Sequence, residues 1–247
     1  MNKPRIISGA VVPKGGKMDL GLCGACVVSA VYVDAGGCLK SGKGNFLYDI
    51  KVDGMMSITG GYVRRLAIMS GLVQAGVDAH INTVDVSAQL SFGGNPTVNN
   101  VTVNSGGRVV VGDSTTLTDV NVCNDGVIEL LDAASVTRLT ISSGAEVHAF
   151  GEAFLYNVWV LSGGSLMCRD KSKVDELCLE SGGKFRCLDK SEVIYTAHSP
   201  QKILWDNGEQ LVPPVSSAAQ SNVVTLKLPK SALQAGTMTV RLEVEDA

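Results

Sequence analysis

A repeat of nineteen residues is the feature that most limits how this chain can fold. The phrase DKS begins at Asp170 and again at Asp189, and pairs of small residues return at the same interval. Those pairs are Gly106 and Gly107, Asp125 and Gly126, Gly144 and Ala145, Gly163 and Gly164, and Gly182 and Gly183. Five consecutive units therefore keep one period without an insertion.

Apolar residues follow the same period and alternate with polar ones, a pattern typical of short strands with one buried face. Two apolar positions precede each small pair: Val101 and Val103, Val120 and Val122, Leu139 and Ile141, Val158 and Val160, and Leu177 and Leu179. Two more follow it: Val109 and Val111, Ile128 and Leu130, Val147 and Ala149, Leu166 and Cys168, and Phe185 and Cys187. A third apolar position closes each unit, at Leu117, Val136, Leu155, Val174 and Val193. Each unit is therefore predicted to contain two or three short strands.

The pattern continues upstream with looser spacing. Residues 31–50 match another unit, whereas residues 50–66 and 66–84 form shorter ones. With a first turn near Val12, Gly15 and Gly16, we count about ten units over residues 10–196, taking the repeat period as the primary signal.

Units this short cannot bury an apolar face alone, so each must stack on its neighbours around one shared core. The predicted fold is all-β: a single-stranded parallel β-helix, or β-solenoid, of about ten coils with a period near nineteen residues. At about 4.8 Å per coil, ten coils make a rod of roughly 48 Å. A flat repeating β-sandwich is the alternative, and the scarcity of Asn-Gly hairpin signals argues against it.

The domain organisation follows from where the repeat stops. The β-helix is predicted over residues 1–196, because the register is lost after Val193. Residues 197–221 contain Pro213 and Pro214 among Ser and Ala, which predicts a linker or a strap capping the last coil. Residues 222–247 hold two alternating runs around a glycine-containing connector. They predict a C-terminal β-hairpin that serves as a cap or an oligomer contact, since a lone hairpin is unstable in water.

Composition and charge argue against several classes of function. The formal net charge is -3 and no run of Lys or Arg exceeds two, so a nucleic-acid partner is not expected. The N-terminal segment does not match a signal peptide, and no 18-residue apolar run exists, so membrane insertion is not expected either.

Seven cysteines are spaced irregularly, which does not describe a disulfide framework. Cys23 and Cys26 form a CxxC, but no second pair at metal-ligand spacing follows. We expect these thiols to act as small buried hydrophobes, with a disulfide or a metal or redox site as alternatives. No cofactor is expected, because GxSxG, HExxH, P-loop and Rossmann motifs do not occur.

Aspartate recurs at one position of the unit: Asp113, Asp132, Asp170 and Asp189, with Gly151 interrupting the series. We interpret these residues as corner formers whose carboxylates bond nearby backbone N–H groups as Asx-turns. Carboxylates on adjacent coils, about 5 Å apart at the backbone, would alternatively form a Ca²⁺ site or the acid pair of a glycosidase, the latter with Asp170 and Asp189 as candidates.

Histidines and loops offer little further chemistry. His80, His148 and His198 are scattered and are predicted to be ordinary surface residues. Strictly periodic coils leave no long loops to build a catalytic cleft, so the irregular residues 51–84 are the best place for a groove.

The units VTVNSGGRVVV, LTISSGAEVHA, VWVLSGGSLMC and LCLESGGKFRC resemble the V-x-SGG-x-x-V repeats of AIDA-type autotransporter passengers, which are self-associating and adhesive bacterial surface proteins. The resemblance covers residues 84–193 well and 31–83 loosely. It implies a right-handed β-helix at the cell surface or outside the cell, with glycosylation of the matching hydroxyls at Ser105, Ser143, Ser162 and Ser181. The sequence shows no secretion signal or membrane-barrel domain, so we expect a fragment of a longer protein or another use of the repeat.

The predicted function is a non-enzymatic, adhesin-like or self-association module that presents a repetitive β-helix surface. Its expected partners are other copies of the chain or cell-surface glycans. A polysaccharide-degrading β-helix enzyme, either a lyase or a glycoside hydrolase, is one alternative. A passive structural rod is the other.

Overall fold

A computed structural model of the chain describes residues 4–21, 24–194, 196–198, 203–205 and 210–211. These residues form 27 β-strands and no helix, which confirms the all-β prediction. Among them, no helix is long and apolar enough to cross a membrane.

The strands are two to eight residues long. The first thirteen are β1 (Arg5–Ser8), β2 (Val11–Val12), β3 (Lys17–Asp19), β4 (Cys26–Val33), β5 (Cys38–Ser41), β6 (Phe46–Val52), β7 (Met55–Ile58), β8 (Gly61–Val63), β9 (Leu66–Ile68), β10 (Leu72–Ala75), β11 (Ala79–Ile81), β12 (Val84–Val86) and β13 (Gln89–Phe92). The others are β14 (Thr97–Val103), β15 (Arg108–Val111), β16 (Thr116–Val122), β17 (Val127–Leu130), β18 (Ser135–Ile141), β19 (Glu146–Ala149), β20 (Phe154–Val160), β21 (Ser165–Cys168), β22 (Lys173–Leu179), β23 (Lys184–Cys187), β24 (Glu192–Val193), β25 (Thr196–His198), β26 (Ile203–Trp205) and β27 (Gln210–Leu211).

Strands β1 to β26 pair in parallel with the equivalent strands of the neighbouring coils. The pairings build one sheet of fifteen strands and one of twelve, which wind together as a β-solenoid of about ten turns. In the regular part, Val101 pairs with Val120 and Val120 with Leu139, so the register repeats every nineteen residues. The predicted parallel β-helix and its period are confirmed.

One regular coil explains the length of the repeat. It consists of a seven-residue strand such as β16, a four-residue corner at 123–126, a four-residue strand such as β17, and a second four-residue corner at 131–134. The long strand bends at Asp119, where φ is 56°. Three outer faces result, and we call the first half of the long strand the first face, its second half the second face, and the short strand the third face.

The bend shows how the third apolar position of each unit is used. Leu117, Val120 and Val122 all lie on β16, so the position that closes one unit and the pair that opens the next belong to one continuous bent strand. The bend residues have left-handed φ angles and mixed chemistry: Asn100, Asp119, Arg138, Asn157 and Glu176.

The core consists of stacked rows of Val, Leu and Ile inside the coil. All of the apolar positions predicted from the five regular units are buried except Val193, which is half-buried and packs against the same cluster. Burying one such side chain contributes about 1.5–3 kcal/mol, and the rows continue from coil to coil, so burial is shared along the rod.

The coils contain fewer residues over the irregular part of the sequence. Two residues connect Val52 to Met55 and two connect Val86 to Gln89, whereas four connect Val103 to Arg108. The shorter units that the sequence indicated are present, since Ile50 pairs with Leu66 and Leu66 with Val84. We call these short coils, residues 51–89, the waist.

Parallel pairing continues past the last regular coil. Strand β26 pairs with β23 through Arg186 and Leu204, and β27 then pairs with β26 in the antiparallel direction. The hairpin predicted at residues 222–247 and most of the strap predicted at 197–221 lie outside the described residues.

Candidate functional site

The aspartate series lies at the corner that follows the third face. Asp113, Asp132, Asp170 and Asp189 have φ between 53° and 58°, and Gly151 has φ of 67° at the equivalent position. Asp is among the residues that tolerate this left-handed conformation best, because its short side chain can bond locally. The corner therefore accounts for the recurring residue type.

The carboxylates of this series bind the neighbouring coil. Oδ2 of Asp132 accepts a hydrogen bond from the N–H of Asp113 at 3.2 Å, and Oδ2 of Asp170 accepts one from Gly151 at 2.9 Å. Oδ2 of Asp189 likewise lies 3.4 Å from the N–H of Asp170. These bonds reach nineteen residues back, whereas an Asx-turn would close on the local backbone. The series thus staples successive coils together.

The alternative chemistry of these carboxylates stays a prediction. Across the described part of the chain, no three His, Cys, Asp or Glu side chains come together as a metal site. One oxygen of Asp170 and one of Asp189 already accept backbone hydrogen bonds. Neither observation measures cleavage or Ca²⁺ binding by this corner.

Buried hydroxyls complete the same corner and explain the DKS phrase. Ser172 donates to the carbonyl of Arg169 at 2.7 Å, and Ser191 donates to that of Leu188 at 2.6 Å. In each DKS phrase, the Asp adopts the left-handed conformation that turns the chain at the corner. The buried Ser hydroxyl donates a hydrogen bond to a backbone carbonyl of the same corner. Thr115 is buried at the equivalent position of an earlier coil.

The serines of the SGG units lie at the other four-residue corner. Ser105, Ser143, Ser162 and Ser181 are all exposed, and the last three occupy successive coils. A Cβ on Gly163 would lie 2.5 Å from Oγ of Ser143, and a Cβ on Gly182 would lie 2.6 Å from Oγ of Ser162. Ser143 and Ser162 therefore leave little room for a Cβ at the stacked position of the next coil, which is a packing reason for the glycines there.

Cys168, Cys178 and Cys187 are buried free thiols, and Cys38 and Cys123 are half-buried ones. The side chain of Cys26 is also buried. Cys168 and Cys187 are register partners on β21 and β23. Burial raises the pKa of Cys168, and it raises the pKa of Cys187 to about 11. Cys23, the other member of the CxxC, lies outside the described residues.

This shift predicts slow thiol chemistry at Cys187. At pH 8, a pKa of about 11 in place of 9.0 leaves a thiolate fraction about 100-fold smaller, so alkylation should be slower by at least that factor in the folded protein. Site-resolved mass spectrometry of an iodoacetamide time course, with the urea-unfolded chain as control, measures the ratio. Equal rates in the two states would contradict the burial of this thiol.

The first face carries two parallel rows of outward side chains, which we call the first-face strip. By strand register, one row is Phe46, Tyr62, His80, Thr97, Thr116, Ser135 and Phe154. The other contains Tyr48, Asn99, Thr118, Thr137 and Tyr156. Both rows carry aromatic side chains at the two ends of this stretch, with hydroxyl and amide groups, His80 and Arg64 between them. In the next coil the rows continue with Lys173 and Asp175.

Two depressions lie at the waist, and both take part of their lining from residues 51–84, where the sequence predicted a groove. One, of about 270 Å³, opens on the first-face strip and is lined by Tyr62, His80, Ile81, Asn82, Thr97 and Asn99. The other, of about 490 Å³, lies at the SGG corner, where Ser70, Gly71 and Ser87 meet Gly106, Arg108 and Asp125. The shortened corners leave this space.

Strand β20 presents three exposed aromatic side chains that the sequence interpretation missed. Phe154 is 38% exposed, Tyr156 37% and Trp159 47%. Trp159 donates from Nε1 to Oδ1 of Asn157 at 3.0 Å, and a hydrogen bond with Glu176 raises the pKa of Tyr156. The sequence signal that could have identified this cluster is the occurrence of three aromatic residues in seven positions of a chain with only 5% aromatic residues.

The two histidines with described side chains, His80 and His148, lie apart from each other and form no metal site. His80 is exposed on the first-face strip. His148 points outward but is half-buried, with Nε2 3.5 Å from Oε2 of Glu146 and its ring edge-on to Phe150 at 6.2 Å. The side chain of His198 lies outside the described residues.

These features define the chain as a parallel β-solenoid in which the Asp residues and the SGG units recur at equivalent corners of its coils. No family model matches the sequence, and no curated protein matches it. Among solved structures, it is similar to a TibC-catalyzed hyper-glycosylated fragment of TibA, residues 55–350. The match has a TM-score of 0.60 and 20% sequence identity, and it covers 86% of this chain and 83% of that one. The similarity shows a shared β-helix fold.

Proposed function

We propose that this protein is a non-enzymatic, adhesin-like surface module that contacts other cells or other copies of itself through its repetitive β-helix surface. The observation that carries the proposal is the stack of regular nineteen-residue coils, four of which present an exposed serine at the same corner. The resemblance of those units to AIDA-type passengers and the similarity to the TibA fragment support it.

The proposed location is the cell surface or the extracellular space, and the proposed modification is glycosylation of Ser105, Ser143, Ser162 and Ser181. Their exposure at one corner supports this, because a sugar there would point away from the core. The TibA fragment is itself hyper-glycosylated.

Glycosylation predicts sugar masses on the serine row. Peptide mass spectrometry of protein purified from the cells that produce it should find additions of monosaccharide mass, or multiples of it, on these four serines. Ser172 and Ser191 are internal controls, because their hydroxyls are engaged inside the corner and should stay unmodified. Unmodified serines throughout the row would contradict this part of the proposal.

The function itself is tested with the purified protein. If the protein self-associates, sedimentation should give a molecular mass that rises with protein concentration. If it is adhesive, it should be retained on cells or on immobilised polysaccharides. In neither case should new polysaccharide chain ends form. New chain ends that disappear in Asp170→Asn and Asp189→Asn would instead favour the enzyme. A monomer that binds nothing would favour the structural rod.

A further inference from the structure

The first-face strip differs chemically from the third face. From Phe46 to Phe154 one row contains no Lys, Arg, Asp or Glu, and the other contains Arg64, which follows β8 in register with Tyr48. The outward positions of the third face instead carry Arg108, Glu129, Glu146, Lys184 and Arg186. A stripe with few charged groups therefore runs along one side of the rod, and Arg64 is the one Lys, Arg, Asp or Glu in its two rows between Phe46 and Tyr156.

Aromatic rings stand at both ends of this stripe. At one end, the rings of Phe46 and Tyr62 lie 6.4 Å apart at 47°, and Phe46 is 45% exposed. At the other end, Phe154 and Tyr156 project from β20. From Phe46 to Phe154 the row climbs six coils, a span of about 29 Å at 4.8 Å per coil.

Between the aromatic ends the strip offers hydrogen-bonding groups at the spacing of one coil. Thr97, Thr116 and Ser135 are successive register partners, and Oγ1 of Thr116 lies 3.1 Å from Oγ of Ser135. Hydroxyl groups both donate and accept, and the amides of Asn82 and Asn99 do the same in the 270 Å³ depression beside them.

We propose that the first-face strip binds an extended, uncharged glycan lying along the axis of the solenoid. A sugar ring presents an apolar C–H face and a rim of hydroxyls. Aromatic side chains match the face, and hydroxyls and amides match the rim. This inference rests on the proposed adhesive function and names its ligand class and its site.

Other occupants fit the strip less well. A nucleic acid or an acidic polysaccharide needs several Lys or Arg along the path, and the two rows carry a single one, Arg64. A protein partner usually buries an apolar centre within a polar rim, whereas here the centre is polar and the ends are aromatic.

The test uses substitutions already present in neighbouring coils. Phe154→Thr with Tyr156→Thr copies the Thr116 and Thr118 pair of an earlier coil, so the strand keeps residues that this position accepts. Trp159→Thr copies Thr140 on the second face and is the matched control, since it removes an exposed aromatic away from the strip.

Retention is measured by affinity electrophoresis on dextran, mannan and xylan as neutral chains and on alginate and hyaluronate as acidic ones. We expect the parent protein to be retained on at least one neutral polysaccharide. The affinity of the double variant should fall by at least about tenfold, whereas the affinity of the Trp159→Thr control should change by less than about twofold. Circular dichroism checks that both variants keep the β-sheet signal of the parent.

Four results would overturn the proposal: no retention on any neutral chain, preference for the acidic chains, an unaffected double variant, or an equal loss in the Trp159→Thr control. Sedimentation and cell adhesion are measured in parallel. If these persist while glycan retention is absent, the strip proposal fails and the adhesive function stands. If the double variant loses self-association instead, the strip contacts a second copy.

Discussion

Substituting Gly71 with alanine is expected to lower the free energy of unfolding by at least about 3 kcal/mol. Gly71 lies at the waist with φ of +85°, and a Cβ there would lie 2.0 Å from the carbonyl oxygen of Gly54 in the preceding coil. That oxygen also accepts a hydrogen bond from the N–H of Leu72 at 3.1 Å. Relief of the clash must therefore disturb the pairing between two coils.

The matched control for this prediction is Gly106→Ala. Gly106 has a similar φ of +76°, but a Cβ there would meet no atom within 4 Å. Its expected cost is that of a left-handed alanine alone, about 1–2 kcal/mol. Urea unfolding followed by circular dichroism gives both values, and equal losses would show that φ, not the close approach of the backbones, determines the effect.

The fold was predictable because the same short pattern is written several times. Each unit carries its own alternation, so an ambiguous residue in one coil is outweighed by its equivalents in the others. Val147, Ala149 and Cys168 differ in size and type, yet their place in the period identified all three as core residues. Parallel stacking followed, since such units bury their apolar faces only against each other.

The bend in the long strand was not predictable from the same pattern. Asn100 and Asp119 are residues that tolerate a left-handed φ, but Arg138 and Glu176 at equivalent positions are not typical of it. Because the residue type is not repeated there, the sequence reads as two strands rather than one bent strand. Arg138 is held by an ion pair with Asp119 of the preceding coil, a contact that a local pattern does not contain.

The positions of the candidate sites were predictable from the sequence, but the groups with which their side chains interact were not. The corner of Asp170 and Asp189 was recognised, whereas the acceptor role toward the neighbouring coil depends on the register between coils. The first-face strip was missed for a related reason. Phe154 and Tyr156 alternate correctly in β20, and alternation alone does not show that their register partners in the preceding coils carry hydroxyl groups.

Replacing Asn45 with alanine is expected to destabilise the N-terminal coils by about 2–4 kcal/mol. Asn45 is 1% exposed and occupies the corner position that Ser172 holds in a later coil. Its Oδ1 accepts from the N–H of Cys26 at 3.2 Å, and its Nδ2 donates to the carbonyl of Leu20 at 3.2 Å. Alanine removes both hydrogen bonds and leaves a cavity between coils.

The loss should stay local, because each coil of a solenoid contacts only its neighbours and stability is shared between adjacent units. Amide hydrogen exchange should therefore accelerate in β1 and β4, whereas β16 to β22 should keep their protection. Asn121→Ala, on the exposed side of β16, is the control and should change stability by less than about 0.5 kcal/mol. A uniform loss of protection would mean instead that the rod unfolds as one cooperative unit, since a defect at one end would then be felt at the other.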